Sequence, residues 1–200
     1  MIRATGFITA GGRSSRMGVD KAWLELAGRA MIEHVIAALA PVSTHLAIIA
    51  NSPDYERLGF PVYADSNKEI GPLEAVRTAL SNTFTDRVML VGCDLPFVTT
   101  DLFKLLLNIA GDHYATVPIG PDGKLEPLCA IYRAEALSVV TELINQGERK
   151  MSRLFDRVPT RFVPFDELRL LRGSDVFFEN INTPEDYKRA SEKMGADQIF

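Results

Sequence analysis

Cysteine is scarce in this chain of 200 residues: Cys93 and Cys129 stand far apart, outside any CxxC spacing and without clustered histidines. That excludes a disulfide framework or a thiolate zinc site, and both thiols are expected to be buried and reduced. Long hydrophobic runs are missing as well. No apolar stretch approaches the roughly 20 residues of a membrane span, and Arg3 is not followed by the apolar region and small-residue cleavage site of a signal peptide, so a cytoplasmic location is expected. There is no basic excess. The 22 Lys and Arg against 26 Asp and Glu give a formal net charge of -4, which argues against a general nucleic-acid binder and turns attention to local basic clusters that would meet small anions. With no repeat, low-complexity tract or linker, residues 1–200 read as one domain with an ordinary core.

What is present is an alternation of strand-like and helix-like runs. Strands are expected at residues 5–9, 45–50, 61–64, 87–93, 115–119, 128–133, 161–165 and 177–181. Helices are expected between most of them. Residues 30–40 put Met31, Val35, Ala38 and Leu39 on one stripe, and residues 72–80 open on Pro72 with Leu73, Val76 and Leu80 at helical spacing. Thr100 or Asp101 is the expected cap of the helix running to Ile109, and Thr183-Pro184-Glu185-Asp186 reads as an N-cap, Pro at the first position and acids in the first turn. The pattern predicts a single α/β, Rossmann-like three-layer domain with a mainly parallel twisted sheet and helices on both faces.

The densest chemistry lies in Ala10-Gly-Gly-Arg-Ser-Ser-Arg-Met-Gly-Val-Asp-Lys21. Gly11 and Gly12 let main-chain N–H groups approach a polyphosphate that a Cβ would fend off, while Arg13, Arg16 and Lys21 supply countercharge. The spacing fits neither a P-loop nor GxGxxG. In an open α/β sheet, ligands bind outside the carboxyl ends of the strands. The glycine loop, Asn51, Asp65 and Asp94 follow the first four expected strands in turn, so one rim should gather them. Asp94 ends an apolar run, where an acid needs a positive partner: it either binds a hard divalent cation or caps a turn before Pro96. Asn180 and Asn182 read either as further metal contacts or as turn and capping residues. Gly147-Glu-Arg149-Lys150-Met-Ser-Arg153 reads either as a second phosphate-binding segment or as a solvated helix start.

The glycine loop resembles the [LT]AGGxSxRMGxDK loop of the molybdenum cofactor guanylyltransferases, themselves similar to the first domain of sugar-nucleotide pyrophosphorylases. Further resemblance runs in order through Asn51, Asp65, Gly71-Pro72-Leu73, Cys93-Asp94-Leu95-Pro96, Pro127-Leu128 and Asn180-Ile181-Asn182-Thr183-Pro184, covering nearly the whole chain. It implies an Mg2+-dependent transfer of GMP from GTP to molybdopterin phosphate, with the N-terminal part holding nucleotide and the C-terminal part the acceptor. Thr9, Ala10, Gly11, Gly12, Lys21, Asn51, Asp65 and Asp94 would bind the nucleotide, with Lys21, Arg16 and Asp94 catalytic and Asp94 on the metal. Arg13 falls on a variable position. Pro127, Arg149, Lys150, Asn180 and Asn182 would face the acceptor. Thr9 replaces the commoner leucine, and Ala75 the last glycine of the family's GPLxG turn. A monomer or weak oligomer in transient contact with other molybdenum cofactor proteins would follow.

Three rivals remain. Cytidylyltransferases usually show AAG in place of Ala10-Gly11-Gly12 and lack the Asp20-Lys21 pair. A non-catalytic nucleotide-binding regulatory subunit would have no need of both Lys21 and Asp94. A Rossmann oxidoreductase fails on the glycine spacing and on Asn51, which stands where an acidic ribose contact belongs.

Overall fold

The structure is a computed structural model that describes residues 3–11, 20–65 and 71–197. Its first strand, β1 (Ala4–Thr9), is β-branched, aromatic and buried almost throughout, as a strand covered on both faces must be. A small hairpin, β2 (Glu25–Leu26) and β3 (Arg29–Ala30), precedes helix α1 (Met31–Leu39) and strand β4 (His45–Ile49). Then come β5 (Val62–Tyr63), α2 (Pro72–Ser81), β6 (Arg87–Gly92), α3 (Thr100–Ile109), β7 (Ala115–Pro118) and β8 (Cys129–Arg133). The chain closes with α4 (Leu137–Asn145), α5 (Met151–Phe155), β9 (Thr160–Val163), α6 (Phe165–Leu168) and α7 (Pro184–Asp197).

Among the described residues the main sheet has seven strands in the order β5-β4-β1-β6-β8-β7-β9, and only β8 runs against its neighbours. Side chains alternate between two cores, as period 2 demands. Ile8, Ile48, Met89, Val91 and Ile131 pack under α1 and α3, while Phe7, Ile49, Leu90, Ala130 and Tyr132 pack under α2 and α4. The result is the expected three-layer α/β fold with a mainly parallel sheet. No helix among the described residues is long and apolar enough to cross a membrane.

Three local expectations are corrected, and one hairpin is added. Residues 177–181 form turns, not a strand: Phe177 and Phe178 set their rings edge to face, 6.2 Å apart, and Phe177 is an anchor in the core under α1 and α3. The aromatic run that resembles a strand is here a plug. Strand β9 stops at Val163 because Phe165 opens α6 after Pro164. Thr99, not Thr100 or Asp101, caps α3 by accepting from Leu102 N at 3.3 Å, which frees the Thr100 hydroxyl to donate to Ala38 O at 2.8 Å and tie α3 to α1. The β2–β3 hairpin escapes the sequence pattern because its strands are two residues each. Its turn uses Ala27 (φ 47) and Gly28 (φ 80), the left-handed pair that a tight hairpin needs.

Candidate active site

Parallel pairing sets the rim. Thr9 stands opposite Ile49 on one side and Gly92 on the other, and Ile49 opposite Tyr63, so β1, β4, β5 and β6 end level. Ala10–Gly11, Asn51, Asp65 and Asp94 therefore emerge together. The chain runs outward from β1 to β4 and β5, then crosses back to β6 on the other flank of β1. That reversal opens the crevice in which a ligand of such a sheet sits. Ala10 N donates to Ile49 O at 2.9 Å, and at Gly11 (φ 80) an added Cβ would stand 4.0 Å from Asn51 N, so the loop leaves β1 directly beside the exposed Asn51. Asp65 accepts from the Thr78 hydroxyl on α2 at 3.2 Å. Gly12, Arg13 and Arg16 lie outside the described residues.

Asp94 is delivered by β6 through two main-chain bonds, Gly92 N to Leu128 O at 2.8 Å and Cys93 N to Thr9 O at 2.9 Å. Its carboxylate folds back over Gly92, where any Cβ would overlap Asp94 Oδ1. The Lys21 ammonium meets this carboxylate: Nζ lies 2.8 Å from Asp94 Oδ2 and 2.7 Å from Asn182 Oδ1. Residues 73 and 161 positions apart in sequence thus converge on one cation. Asn182 is brought there by the start of α7. The Thr183 hydroxyl accepts from Asp186 N at 3.1 Å, and the Asp186 carboxylate accepts from the Asn182 and Thr183 amides at 3.0 and 2.9 Å. Burial pushes the Asp186 carboxyl up, but these bonds outweigh it and hold the group below its ordinary range. Capping thus falls to Thr183 and Asp186, leaving the Asn182 amide for Lys21. Asn180 is not part of this cluster. Its amide donates to Phe178 O at 3.4 Å.

Both oxygens around Lys21 Nζ suit a hard cation, and Asp94 with Asn182 is a donor pair that Mg2+ would accept if phosphate oxygens and water completed its shell. Among the described residues no group of three or more His, Cys, Asp or Glu gathers to hold a metal unaided.

On the other flank of β6, Pro127 and Leu128 lead into β8. Leu128 O is bound to Gly92 N, and Pro127 O accepts from the Tyr132 hydroxyl at 2.8 Å. The sequence reading passed over Glu126, whose half-buried carboxyl is pushed up to about 7, first by burial and then by Asp122, with Lys124 opposing and Asp94 adding a smaller push. An acid placed directly before Pro127-Leu128 was the available signal. In the 147–153 segment, Glu148 Oε1 accepts from the amides of Arg149 and Lys150 at 2.8 and 3.0 Å, and Arg153 pairs with Glu148 and Asp156. A groove of about 350 Å³ between α4 and α5 is lined by these balanced charges. Arg149 and Lys150 are exposed and make no ion pair among the described residues.

A parallel sheet with a glycine loop at its first crossover, and a lysine facing an aspartate at the strand-order reversal, defines a nucleotidyltransferase of the nucleotide-diphospho-sugar transferase kind. The sequence model of the MobA-like NTP transferase domain matches residues 6–161, and the chain belongs to that family. It is 35% identical over 189 residues to a probable molybdenum cofactor guanylyltransferase of Carboxydothermus hydrogenoformans, covering 94% of this chain and 95% of the relative. The molybdenum cofactor guanylyltransferase of Desulfosudis oleivorans is 31% identical, with both chains fully covered. Among solved structures, the molybdopterin-guanine dinucleotide biosynthesis protein A of Archaeoglobus fulgidus superposes with a TM-score of 0.81 at 26% identity, over 96% of this chain and 99% of that one.

Proposed function

We propose that this protein transfers the GMP group of GTP to the terminal phosphate of molybdopterin, forming molybdopterin guanine dinucleotide and releasing pyrophosphate. The names of the Carboxydothermus and Desulfosudis relatives support guanylyl transfer in molybdenum cofactor synthesis. The observation that carries the reading is the meeting of Lys21 with Asp94 and Asn182 in the crevice beside β1.

In the reaction an acceptor phosphate oxygen attacks the α-phosphorus of GTP. The bond from that phosphorus to the bridging oxygen breaks, and the electron pair leaves with pyrophosphate. The acceptor phosphate is already ionised near neutral pH and needs no general base. Gly11 and the main chain of Thr9 and Ala10 are assigned to the nucleotide, while Asn51 and Asp65 take the base, a carboxylate suiting the N1–H and N2–H edge of guanine. The Lys21 ammonium is assigned to the charge that grows on the leaving pyrophosphate. Asp94 and Asn182 would hold Mg2+, which when bound neutralises phosphate charge. Pro127 and Leu128 are assigned to the acceptor, and Arg149 and Lys150, both exposed, to its phosphate.

Pyrophosphate release measured with each of four nucleoside triphosphates tests this. Release is expected with GTP and molybdopterin together, and with neither alone. Equal turnover with CTP would make the protein a cytidylyltransferase; GTP binding with no release under any condition would make it a regulatory subunit. Either result overturns the proposal.

A further inference from the structure

Lys21 sits in a one-turn helix, Lys21–Trp23, whose cap is Asp20. One carboxylate oxygen of Asp20 accepts from Ala22 N at 3.2 Å, and the other accepts from the Tyr55 hydroxyl at 2.6 Å. Tyr55 belongs to a different part of the chain, the short helix Pro53–Leu58 that follows Asn51. Its side chain is fully buried. The contact continues past Lys21, because the Tyr55 ring stacks on Trp23 with centroids 5.1 Å apart and the Arg57 guanidinium lies 3.6 Å from the Trp23 ring centre. The residues immediately before and two places after Lys21 are thus fastened to one turn, and that turn is rooted at the end of β4.

A lysine has four rotatable bonds and gains nothing as a preorganised cation unless its base is fixed. Asp94 and Asn182 meet the Lys21 ammonium at its far end, and at the main chain the neighbours Asp20 and Trp23 are the fastened points. Burial, a short bond to a carboxylate and ring stacking together make Tyr55 that fixed point.

We propose that Tyr55 is a positioning residue for nucleotidyl transfer, holding Asp20 and Trp23 so that the Lys21 ammonium stands in the crevice. The proposal rests on the assignment of Lys21 to the phosphates. It also links the turn that starts beside Asn51, at the base end of the nucleotide, to the cation at its phosphate end.

Tyr55→Phe keeps the ring and its stacking and removes only the bond to Asp20. The expected result is a fall in kcat of about tenfold or more, the scale set by small misplacements of a catalytic group, with KM for GTP within about twofold of wild type. Trp23 is the only tryptophan of the chain, so its fluorescence reads this segment directly. Its emission change on GTP binding should be smaller in the variant.

The deciding measurement is the double variant with Lys21→Ala. If Tyr55 acts through Lys21, adding Tyr55→Phe to Lys21→Ala lowers kcat no further; a merely structural tyrosine would cost the same in either background. Wild-type kcat in Tyr55→Phe, or full additivity in the double variant while Lys21→Ala alone is crippled, overturns the proposal and leaves the assignment of Lys21 standing. Wild-type kcat in Lys21→Ala overturns both.

Discussion

Lys21 is held by two oxygens of different character, a carboxylate and a neutral amide, with its side chain 15% exposed. Water competes poorly for an ammonium so placed, whereas the multiply charged oxygens of a triphosphate compete well. Lys21→Ala is therefore expected to bind GTP within about an order of magnitude of wild type while losing roughly a hundredfold in kcat, the scale of deleting one preorganised stabilising group. Partly exposed ion pairs contribute only about 1 kcal/mol, so its melting temperature should fall by no more than about 4 °C. Steady-state kinetics and a thermal melt check both, and an unchanged kcat would remove Lys21 from the site. Lys21, Asp94 and Asn182 were legible in the sequence because each sits in a dense local motif. Tyr55 was not. Its partner Asp20 lies 35 positions away, and nothing in the residues around either one marks the pair. Gly92 was equally silent, since its need for a bare Cα arises from how Asp94 folds back over it.

At the scale of elements, α7 deserves to be read with the hairpin it clamps. The Tyr187 hydroxyl donates to Glu25 O at 2.6 Å, and Leu26, Met31, Ile181 and Ala190 form a small core of their own. Asn182 reaches Lys21 from just before the Thr183 cap, so the cap that starts α7 also places the amide that meets Lys21. Thr183→Ala should cost about 1 kcal/mol, as lost N-caps do, and should act locally. Hydrogen exchange is expected to quicken at the start of α7 and stay unchanged in β1 and β6; uniform quickening would mean that α7 is no separate unit. The Thr-Pro-Glu-Asp start of α7 was plain from its capping chemistry. The turns at residues 177–181 were misread because an apolar aromatic run looks the same whether it pairs as a strand or plugs a core. The segment is held by the buried Phe177 and Ile181 side chains and by the bond from Ile181 N to Asp94 O, 3.0 Å long, none of which a local pattern shows.

At the scale of the whole molecule, the mainly parallel direction of the sheet followed from the alternating pattern, and the level rim followed from parallel pairing. The burial of Glu126 beside Pro127 did not. Glu126 keeps its proton to about pH 7, well above an ordinary carboxyl, so the folded state binds protons more tightly than the unfolded chain. Its contribution to stability is present below the ordinary carboxylate range and is lost as pH rises toward 7. Glu126→Gln should therefore melt above wild type at pH 8 and level with it near pH 4. The gap should be about 1 kcal/mol, or 2–4 °C, allowing for the screening of a half-buried group. A gap that does not change with pH would refute the assignment of that carboxyl. The one reversed strand has a consequence of another kind. Because β8 runs against β6 and β7, residues 119–128 leave and return at the same end of the sheet as a hairpin, closed by the pairing of Ile119 with Leu125. Its tip carries the Asp122–Lys124 ion pair and the turn bond from Gly123 N to Gly120 O, both of them local to the hairpin. A change of length or charge at that turn is therefore expected to leave the level strand ends of β1, β4 and β6 where they are.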